Sequence, residues 1–159
     1  MPIAFKVPGK RDYFLENVIF DLNGTLAVDG QISPGTCKLL RQLSEKVNIF
    51  VLTADTQGTA LTVQTDLGPN IKLKTISGEN TTASKYNFIK KLGPANTAAV
   101  GNGANDVKML QEAVLSIALL GKEGCSTGAL SSSDIVVNDI DDAIKLFIYP
   151  KRIIATLRS

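Results

Sequence analysis

The stretch Val18-Ile19-Phe20-Asp21-Leu22-Asn23-Gly24-Thr25-Leu26 decides the fold. Its three consecutive apolar residues are typical of a strand that is covered on both faces. The strand ends in a carboxylate, which is costly to bury unless it is paired or used. The Asn-Gly pair that follows allows a sharp turn whose amide N–H groups can point back at Asp21. The segment predicts either an anion site beside a nucleophile or a hairpin turn in which backbone donors satisfy Asp21.

Outward from this strand, strands and helices alternate along almost the whole chain. Strands are predicted at residues 3–7, 13–22, 47–52, 71–75, 97–100, 116–120 and 135–137. Helices are predicted after Ser33-Pro34 and at residues 59–67, 82–92, 107–114, 141–147 and 151–157. This alternation predicts an α/β fold, namely a single Rossmann-like domain over residues 1–159. It would contain a parallel sheet with helices on both faces and an N-terminal β-hairpin. Ligands bind such sheets at the carboxyl ends of the strands, where loops beginning at Asp21, Thr53 and Gly101 fall.

Composition excludes several classes of protein. The 159 residues are 44% hydrophobic, and a net charge of +2 provides neither a basic surface for nucleic acid nor a polybasic membrane anchor. The lack of histidine excludes Ser-His-Asp and Cys-His triads and every zinc site that contains histidine. Cys37 and Cys125 lie far apart and predict free thiols. With no signal pattern and no apolar run of membrane-spanning length, we expect a cytoplasmic protein without a membrane or nucleic-acid partner.

A second informative segment is Gly101-Asn102-Gly103-Ala104-Asn105-Asp106, between a predicted strand and a predicted helix. It differs from the dinucleotide fingerprint GxGxxG at the last position, where the carboxylate of Asp106 would repel a pyrophosphate. A carboxylate in a strand-end loop instead suits Mg²⁺, which prefers oxygen ligands. The alternative is that Asp106 only caps the helix that begins at Val107.

Thr53 and Lys85 are weaker candidates. Thr53 ends an apolar strand, and its hydroxyl can donate to a phosphate oxygen, although threonine at a strand end usually belongs to a turn. Lys85 lies in a predicted helix, and a solvated side chain is the default for any lysine. Nothing in its immediate sequence distinguishes Lys85 from the other lysines nearby, which are Lys72, Lys74, Lys90 and Lys91.

Taken in order, the four segments resemble the motifs of the haloacid dehalogenase superfamily. Asp21-Leu22-Asn23-Gly24-Thr25 resembles the DxDGT motif, Thr53 the hydroxyl residue of the second motif, and Lys85 the lysine of the third, which precedes a helix. The segment at residues 101–106 resembles the fourth motif, GDGxND. More closely, Asn23, the Gly-Asn-Gly of the fourth motif and the ending at residues 150–158 resemble small proteins called soluble P-type ATPases.

The resemblance implies a mechanism and a set of site residues. Asp21 would be the nucleophile that forms an aspartyl-phosphate, and Thr53 and Lys85 would hold the phosphoryl oxygens. Asp21, the main-chain carbonyl of Asn23 and the side chain of Asn102 would face Mg²⁺, with Asp106 binding it directly or through water. The substrate would be a phosphorylated small molecule or macromolecule.

Two residues depart from the family pattern. Asn23 stands where the phosphatases carry the aspartate that serves as general acid and base, so turnover should be slow or the phosphoaspartate long-lived. Asn102 stands where the fourth motif usually has an aspartate ligand, so Mg²⁺ binding should be weaker. Both asparagines precede glycine, a setting prone to deamidation, which would restore the usual aspartates.

The spacing of the motifs predicts that no cap domain is inserted. A predicted hairpin and helix fill the interval 21–53, and a predicted helix and strand fill the interval 53–85. This leaves only a flap at residues 26–32. An open site fits a phosphorylated macromolecule, or closure by a neighbouring subunit in a homo-oligomer. Three functions stay open: a slow phosphohydrolase, a phosphorylation-dependent binding module like a response-regulator receiver, and a scaffold without catalysis.

Overall fold

The strands form a hairpin and a six-stranded parallel sheet. The computed structural model describes residues 2–54, 59–76 and 79–159. The hairpin consists of β1 (Ile3–Lys6) and β2 (Asp12–Leu15), which pair antiparallel. The sheet contains β3 (Asn17–Asp21), β4 (Asn48–Thr53), β5 (Ile71–Thr75), β6 (Thr97–Gly101), β7 (Leu115–Leu119) and β8 (Ile135–Val137). Its order is β5-β4-β3-β6-β7-β8, and every neighbouring pair is parallel. The predicted α/β fold with an N-terminal hairpin is confirmed.

The prediction of one continuous strand at residues 13–22 is wrong, because the chain leaves the hairpin at Glu16 and enters the sheet. The N–H of Glu16 donates to the Asn96 carbonyl at 2.9 Å, and its carbonyl accepts from the N–H of Asn48 at 2.9 Å. The next residue, Asn17, is buried and donates from its side chain to Thr97 Oγ1 at 3.3 Å. Burial alternates along β2 but is complete along β3, which is the pattern of a strand covered on both faces.

Helices cover both faces of the sheet, as predicted. They are α1 (Pro34–Ser44), α2 (Thr59–Leu67), α3 (Thr81–Leu92), α4 (Val107–Glu112), α5 (Thr127–Ser131), α6 (Ile140–Ile148) and α7 (Lys151–Leu157). Successive residues of β3 point to opposite faces, so Phe20 packs in one apolar cluster with Leu40 of α1 and Phe147 of α6. Ile19 packs in the other cluster with Ile89 of α3.

Two helices differ from prediction by more than one residue at an end. Helix α4 ends at Glu112 rather than at residue 114, and α5 was not predicted at all. Five residues are too short for a hydrophobic period to be visible in the sequence. The N-cap of α5 is Ser126, whose side chain accepts from Ala129 N–H at 3.1 Å.

The connection from β3 to α1 holds a flap and no inserted domain. Val28 and Gln31 exchange two main-chain hydrogen bonds at 3.0 and 3.1 Å across a two-residue turn. Asp29 and Gly30 form the turn with φ of 51° and 80°, as hairpin turns of this kind require. In the described parts of the chain no cap domain is present. Among those same residues, no helix has the length and apolar character needed to cross a membrane.

Candidate active site

Lys85 joins the two carboxylates that the sequence singled out. It lies in the first turns of α3 and not before the helix, and it is 2% exposed. Its Nζ donates to Asp21 Oδ1 and to Asp106 Oδ1, both at 2.8 Å. Helix α3 begins at the cap residue Asn80, whose side chain accepts from the N–H of Ala83 at 3.0 Å. The third and fourth motifs therefore meet at the end of β3.

The surroundings of Asp21 disfavour the negative charge of its carboxylate. Burial and the nearby Asp106 carboxylate raise the pKa of Asp21 from 3.8 to about 7, although Lys85 and the Thr25 hydroxyl act in the opposite direction. Burial alone would lower the pKa of Lys85, but the two carboxylates hold the pKa above its usual value. The site therefore has more negative charge than one ammonium group can balance.

Asp106 is fully buried, and its side chain closes its own loop. Its Oδ2 accepts from the N–H of Asn102 at 3.2 Å and from the N–H of Gly103 at 3.0 Å. No hydrogen bond from its side chain caps α4, so the alternative role as a cap of that helix is wrong. A β-carbon at Gly101 would lie 2.6 Å from Asp106 Oδ2, which explains the glycine at the end of β6.

Thr25 connects the first loop with the fourth motif. Its Oγ1 lies 3.4 Å from Asp21 Oδ2 and 3.1 Å from Asn102 Oδ1. Gly24 makes this approach possible, because its φ is 81° and a β-carbon there would lie 2.6 Å from Asn102 Nδ2. The side-chain oxygens of Asp21 and Asn102 thus converge on one hydroxyl.

Three of the amide N–H groups after Asp21 do not donate to its carboxylate. Those of Leu22, Gly24 and Thr25 donate to main-chain carbonyls at 2.9 to 3.3 Å. The predicted backbone nest is wrong for these three donors, and so is a hairpin turn that satisfies Asp21 through them. The side chains of Lys85 and Thr25 hold the carboxylate instead.

Thr53 and Asn23 lie at the same edge of the sheet. Thr53 is the buried last residue of β4 and follows Leu52, which pairs with Asp21. Asn23 is exposed at the turn after β3. Within the described residues, no main-chain N–H donates to its main-chain carbonyl. Residues 55–58, just beyond Thr53, lie outside the described part.

The donor set fits Mg²⁺ better than a transition metal. Asp21, the Asn23 carbonyl and Asn102 supply oxygen atoms, which hard cations prefer. The described residues contain no group of three or more histidine, cysteine, aspartate or glutamate side chains that could hold an ion. Asp106 is poorly suited to bind the ion directly, because its oxygens already accept hydrogen bonds from Lys85 and from two main-chain amides.

Three residues of the site were not identified from the sequence as site residues. Thr25 belongs to the first motif, but the sequence assigns it no role of its own. Asn105 accepts from Lys85 Nζ at 3.2 Å through its Oδ1 and donates to Thr81 Oγ1 at 3.2 Å. The carbonyl of Gly124 accepts from Asn102 Nδ2 at 3.1 Å. Adjacency to Asp21 and Asp106 could have indicated the first two, but no sequence signal indicates Gly124.

Comparison with known proteins identifies the family but not the substrate. A protein of Methanocaldococcus jannaschii, uncharacterized protein MJ0073, is 44% identical over 71 residues, which are 44% of this chain and 76% of that protein. A 3-deoxy-D-manno-octulosonate 8-phosphate phosphatase from Moraxella catarrhalis, solved with magnesium, phosphate and KDO, has a TM-score of 0.65 at 18% identity, covering 91% of this chain and 94% of that one. The cobalt-bound deoxy-D-mannose-octulosonate 8-phosphate phosphatase from Haemophilus influenzae has a TM-score of 0.63 at 17% identity, covering 82% and 86%.

These structural likenesses establish the fold, and none of them supports the closer resemblance to soluble P-type ATPases, which stays a prediction. The model of one family, described as haloacid dehalogenase-like hydrolase, matches residues 7–113. The chain belongs to the haloacid dehalogenase-like hydrolases.

Proposed function

We propose that this protein is a slow, Mg²⁺-dependent phosphohydrolase that works through an aspartyl-phosphate on Asp21. One observation carries the proposal: a fully buried lysine bridges the strand-end carboxylate to a second carboxylate, at the sheet edge where α/β proteins bind ligands. The two structural neighbours from Moraxella catarrhalis and Haemophilus influenzae are phosphatases of a small sugar-acid phosphate, which favours a phosphorylated small molecule as substrate.

In the first step a carboxylate oxygen of Asp21 attacks the phosphorus of a phosphate monoester. The bond from phosphorus to Asp21 forms, the bond to the ester oxygen breaks, and the leaving oxygen takes a proton from water. In the second step a water molecule attacks the same phosphorus and the bond to Asp21 breaks. Inorganic phosphate leaves, and the proton of the attacking water goes to solvent.

The remaining site residues position and neutralise charge. Lys85 holds Asp21 Oδ1 at 2.8 Å and would contact the transferring phosphoryl oxygens, with the Thr53 hydroxyl on the neighbouring strand. Asp21, the Asn23 carbonyl and Asn102 would hold Mg²⁺, with Asp106 reaching it through water. When bound, Mg²⁺ supplies charge neutralisation at the phosphoryl group.

The rate of both steps is limited by Asn23. An amide cannot transfer a proton, and general acid–base help is worth about 10²–10⁴-fold in enzymes that have it. The exposed position of Asn23 leaves water as the proton donor and acceptor.

The test is release of phosphate from p-nitrophenyl phosphate with Mg²⁺ in excess. We expect Asp21→Asn to lower the rate at least about a thousandfold, since the nucleophile is lost. The matched control is Asp12→Asn in β2, an exposed carboxylate whose nearest cation, Lys6, is also exposed. The proposal is wrong if the wild-type protein shows no turnover, or if Asp21→Asn and Asp12→Asn behave alike.

Asn23 also favours a second function, a phosphorylation-dependent binding module. A phosphoaspartate that water hydrolyses unaided is long-lived, and its charge could then be recognised by a partner. Incubation with acetyl phosphate would give a stable phosphoryl adduct on Asp21, seen by intact mass, together with a changed oligomeric state. Such an adduct without turnover would support this function over hydrolysis.

A further inference from the structure

The orientation of the Asn102 side chain follows from its partners. Its amide end lies 3.1 Å from the main-chain carbonyl of Gly124, which can only accept a hydrogen bond. The Nδ2 atom must therefore face Gly124, and Oδ1 must face Thr25 Oγ1 at 3.1 Å. Since that hydroxyl also lies 3.4 Å from Asp21 Oδ2, Asn102 presents a neutral oxygen to the nucleophile's side of the site.

Few charged oxygens remain free in this site. Asp106 has Oδ1 on Lys85 and Oδ2 on the amides of Asn102 and Gly103, and it is fully buried. Asp21 accepts from Lys85 through Oδ1, and among the described residues its Oδ2 has only the long contact to Thr25 at 3.4 Å. Two carboxylates and one ammonium give the cluster a single net negative charge.

We infer that the divalent cation and the phosphoryl group bind this site cooperatively, so that neither binds tightly alone. The inference rests on the proposed function, because it assumes that this site takes a phosphoryl group. Mg²⁺ gives up its water reluctantly and is usually held by protein carboxylates together with phosphate oxygens. One weakly held carboxylate oxygen, Asp21 Oδ2, together with neutral amide and carbonyl oxygens forms a weak site for the free ion. A phosphoryl dianion supplies the missing charge, and the cation relieves its repulsion from Asp21 and Asp106.

The contact with Gly124 explains why residue 102 is an amide. A carboxylate there would place an oxygen about 3.1 Å from the Gly124 carbonyl oxygen, so that two acceptors face each other. The main chain of Asn102 is fastened to the same segment, because its carbonyl accepts from Ser126 N–H at 2.8 Å. Asn102 therefore holds residues 124–126 in place. The same amide is a weaker ligand for Mg²⁺ than a carboxylate would be, so the free protein binds the ion less tightly.

The experiment measures binding, without turnover. Mg²⁺ is titrated calorimetrically into the protein with and without saturating tungstate, a phosphate mimic that cannot be hydrolysed, and tungstate is titrated with and without saturating Mg²⁺. We expect each ligand to lower the dissociation constant of the other by the same factor, at least about tenfold. A change below about twofold in the wild-type protein overturns the inference.

Two variants separate charge from the anchor. Asn102→Asp and Asn102→Ala both lose the hydrogen bond to Gly124, but only Asn102→Asp adds a negative charge beside the ion. We expect Asn102→Asp to bind Mg²⁺ alone about tenfold more tightly than Asn102→Ala and to show less cooperativity than the wild-type protein. Equal cooperativity in Asn102→Asp and wild type contradicts the role of Asn102.

The binding result is independent of the proposed hydrolysis. If Asn102→Asp does not fold, the wild-type titrations alone decide the inference. Cooperative binding without phosphate release would refute hydrolysis and leave the inference standing. Phosphate release that depends on Asp21, without cooperative binding, would support hydrolysis and refute the inference.

Discussion

A buried aspartate ends β3 and another lies in the loop after β6, yet the two carboxylates are held in different ways. Asp106 is held by two amides of its own loop and by Lys85, so both of its oxygens accept hydrogen bonds of 3.2 Å or less. Asp21 is held by two side chains, Thr25 of its own loop and Lys85 of α3, and its pKa is raised to about 7. A carboxylate that backbone amides hold fixes the shape of its loop. A carboxylate whose charge is disfavoured by burial, and one of whose oxygens is weakly held, is available for chemistry.

The largest effect that would test this comparison is expected at Lys85. Lys85→Met leaves two buried carboxylates facing each other without a cation, which should cost about 3–5 kcal/mol in the free energy of unfolding. Chemical denaturation at neutral pH measures the loss, and phosphate release should fall with it. The control is Lys90→Met in the same helix, since Lys90 pairs with Glu112 at 3.2 Å at the surface. Comparable losses in the two variants would contradict the bridging role of Lys85.

The next effect distinguishes the two aspartates directly. Asp106→Asn places an amide nitrogen or an uncharged oxygen against two amide donors and removes one partner of Lys85, so we expect a loss of about 3 kcal/mol. Asp21→Asn removes a charge that Asp106 repels, so we expect the free energy of unfolding not to fall. Both variants should lose phosphate release. Equal stabilities, measured by urea denaturation without Mg²⁺, would show that the two carboxylates do not differ in the way described.

A third effect is expected from pH. A carboxyl group whose pKa is higher in the folded than in the unfolded protein stabilises the fold at low pH, and this contribution is lost as pH rises through the folded pKa. For Asp21 the loss falls between its ordinary pKa of 3.8 and about 7. In the presence of a chelator, wild-type protein should therefore lose stability relative to Asp21→Asn over this range. A difference between the two proteins that stays constant from about pH 4 to pH 8 would show that Asp21 remains ionised.

The smallest effect concerns the two Asn-Gly pairs. Deamidation requires attack by the following N–H on the asparagine side chain, and both of these groups are already engaged. The N–H of Gly24 donates to Ala27 at 2.9 Å, and that of Gly103 donates to Asp106 Oδ2 at 3.0 Å. We expect peptide mass spectrometry of active protein to find Asn23 and Asn102 unmodified. Full conversion to aspartate in active protein would revive deamidation as a means of restoring the usual motif.

Much of the sheet could be predicted because local signals were strong. The apolar run before Asp21 predicted a strand covered on both faces, and the Ser33-Pro34 start of α1 was confirmed by its cap hydrogen bond at 3.2 Å. The break between β2 and β3 at Glu16 could not be predicted, because the residues on both sides of it favour strands. The two strands differ only in their pairing, since β2 pairs with β1 whereas β3 pairs with β4 and β6. Helix α5 was missed because its five residues show no period.

Parts of the site were predictable to different degrees. Asp21 and Asp106 were expected where strands end in loops, which is a consequence of parallel sheet geometry. No local sequence pattern distinguished Lys85 from Lys90 or Lys91. The burial of Lys85 between two carboxylates results from the packing of α3 against the sheet. The contact between Asn102 and Gly124 joins residues 22 positions apart through a main-chain carbonyl, which has no sequence signature.

By itself, the sequence determined the α/β architecture and the two aspartates, because both follow from hydrophobic runs and from the turns at their ends. Only the tertiary structure decided which lysine neutralises them, which carboxylate keeps a weakly held oxygen, and which end of the Asn102 amide faces Asp21. The physical reason is that charge, burial and hydrogen-bond direction in this site depend on distances between segments that are far apart along the chain, and no local pattern encodes those distances.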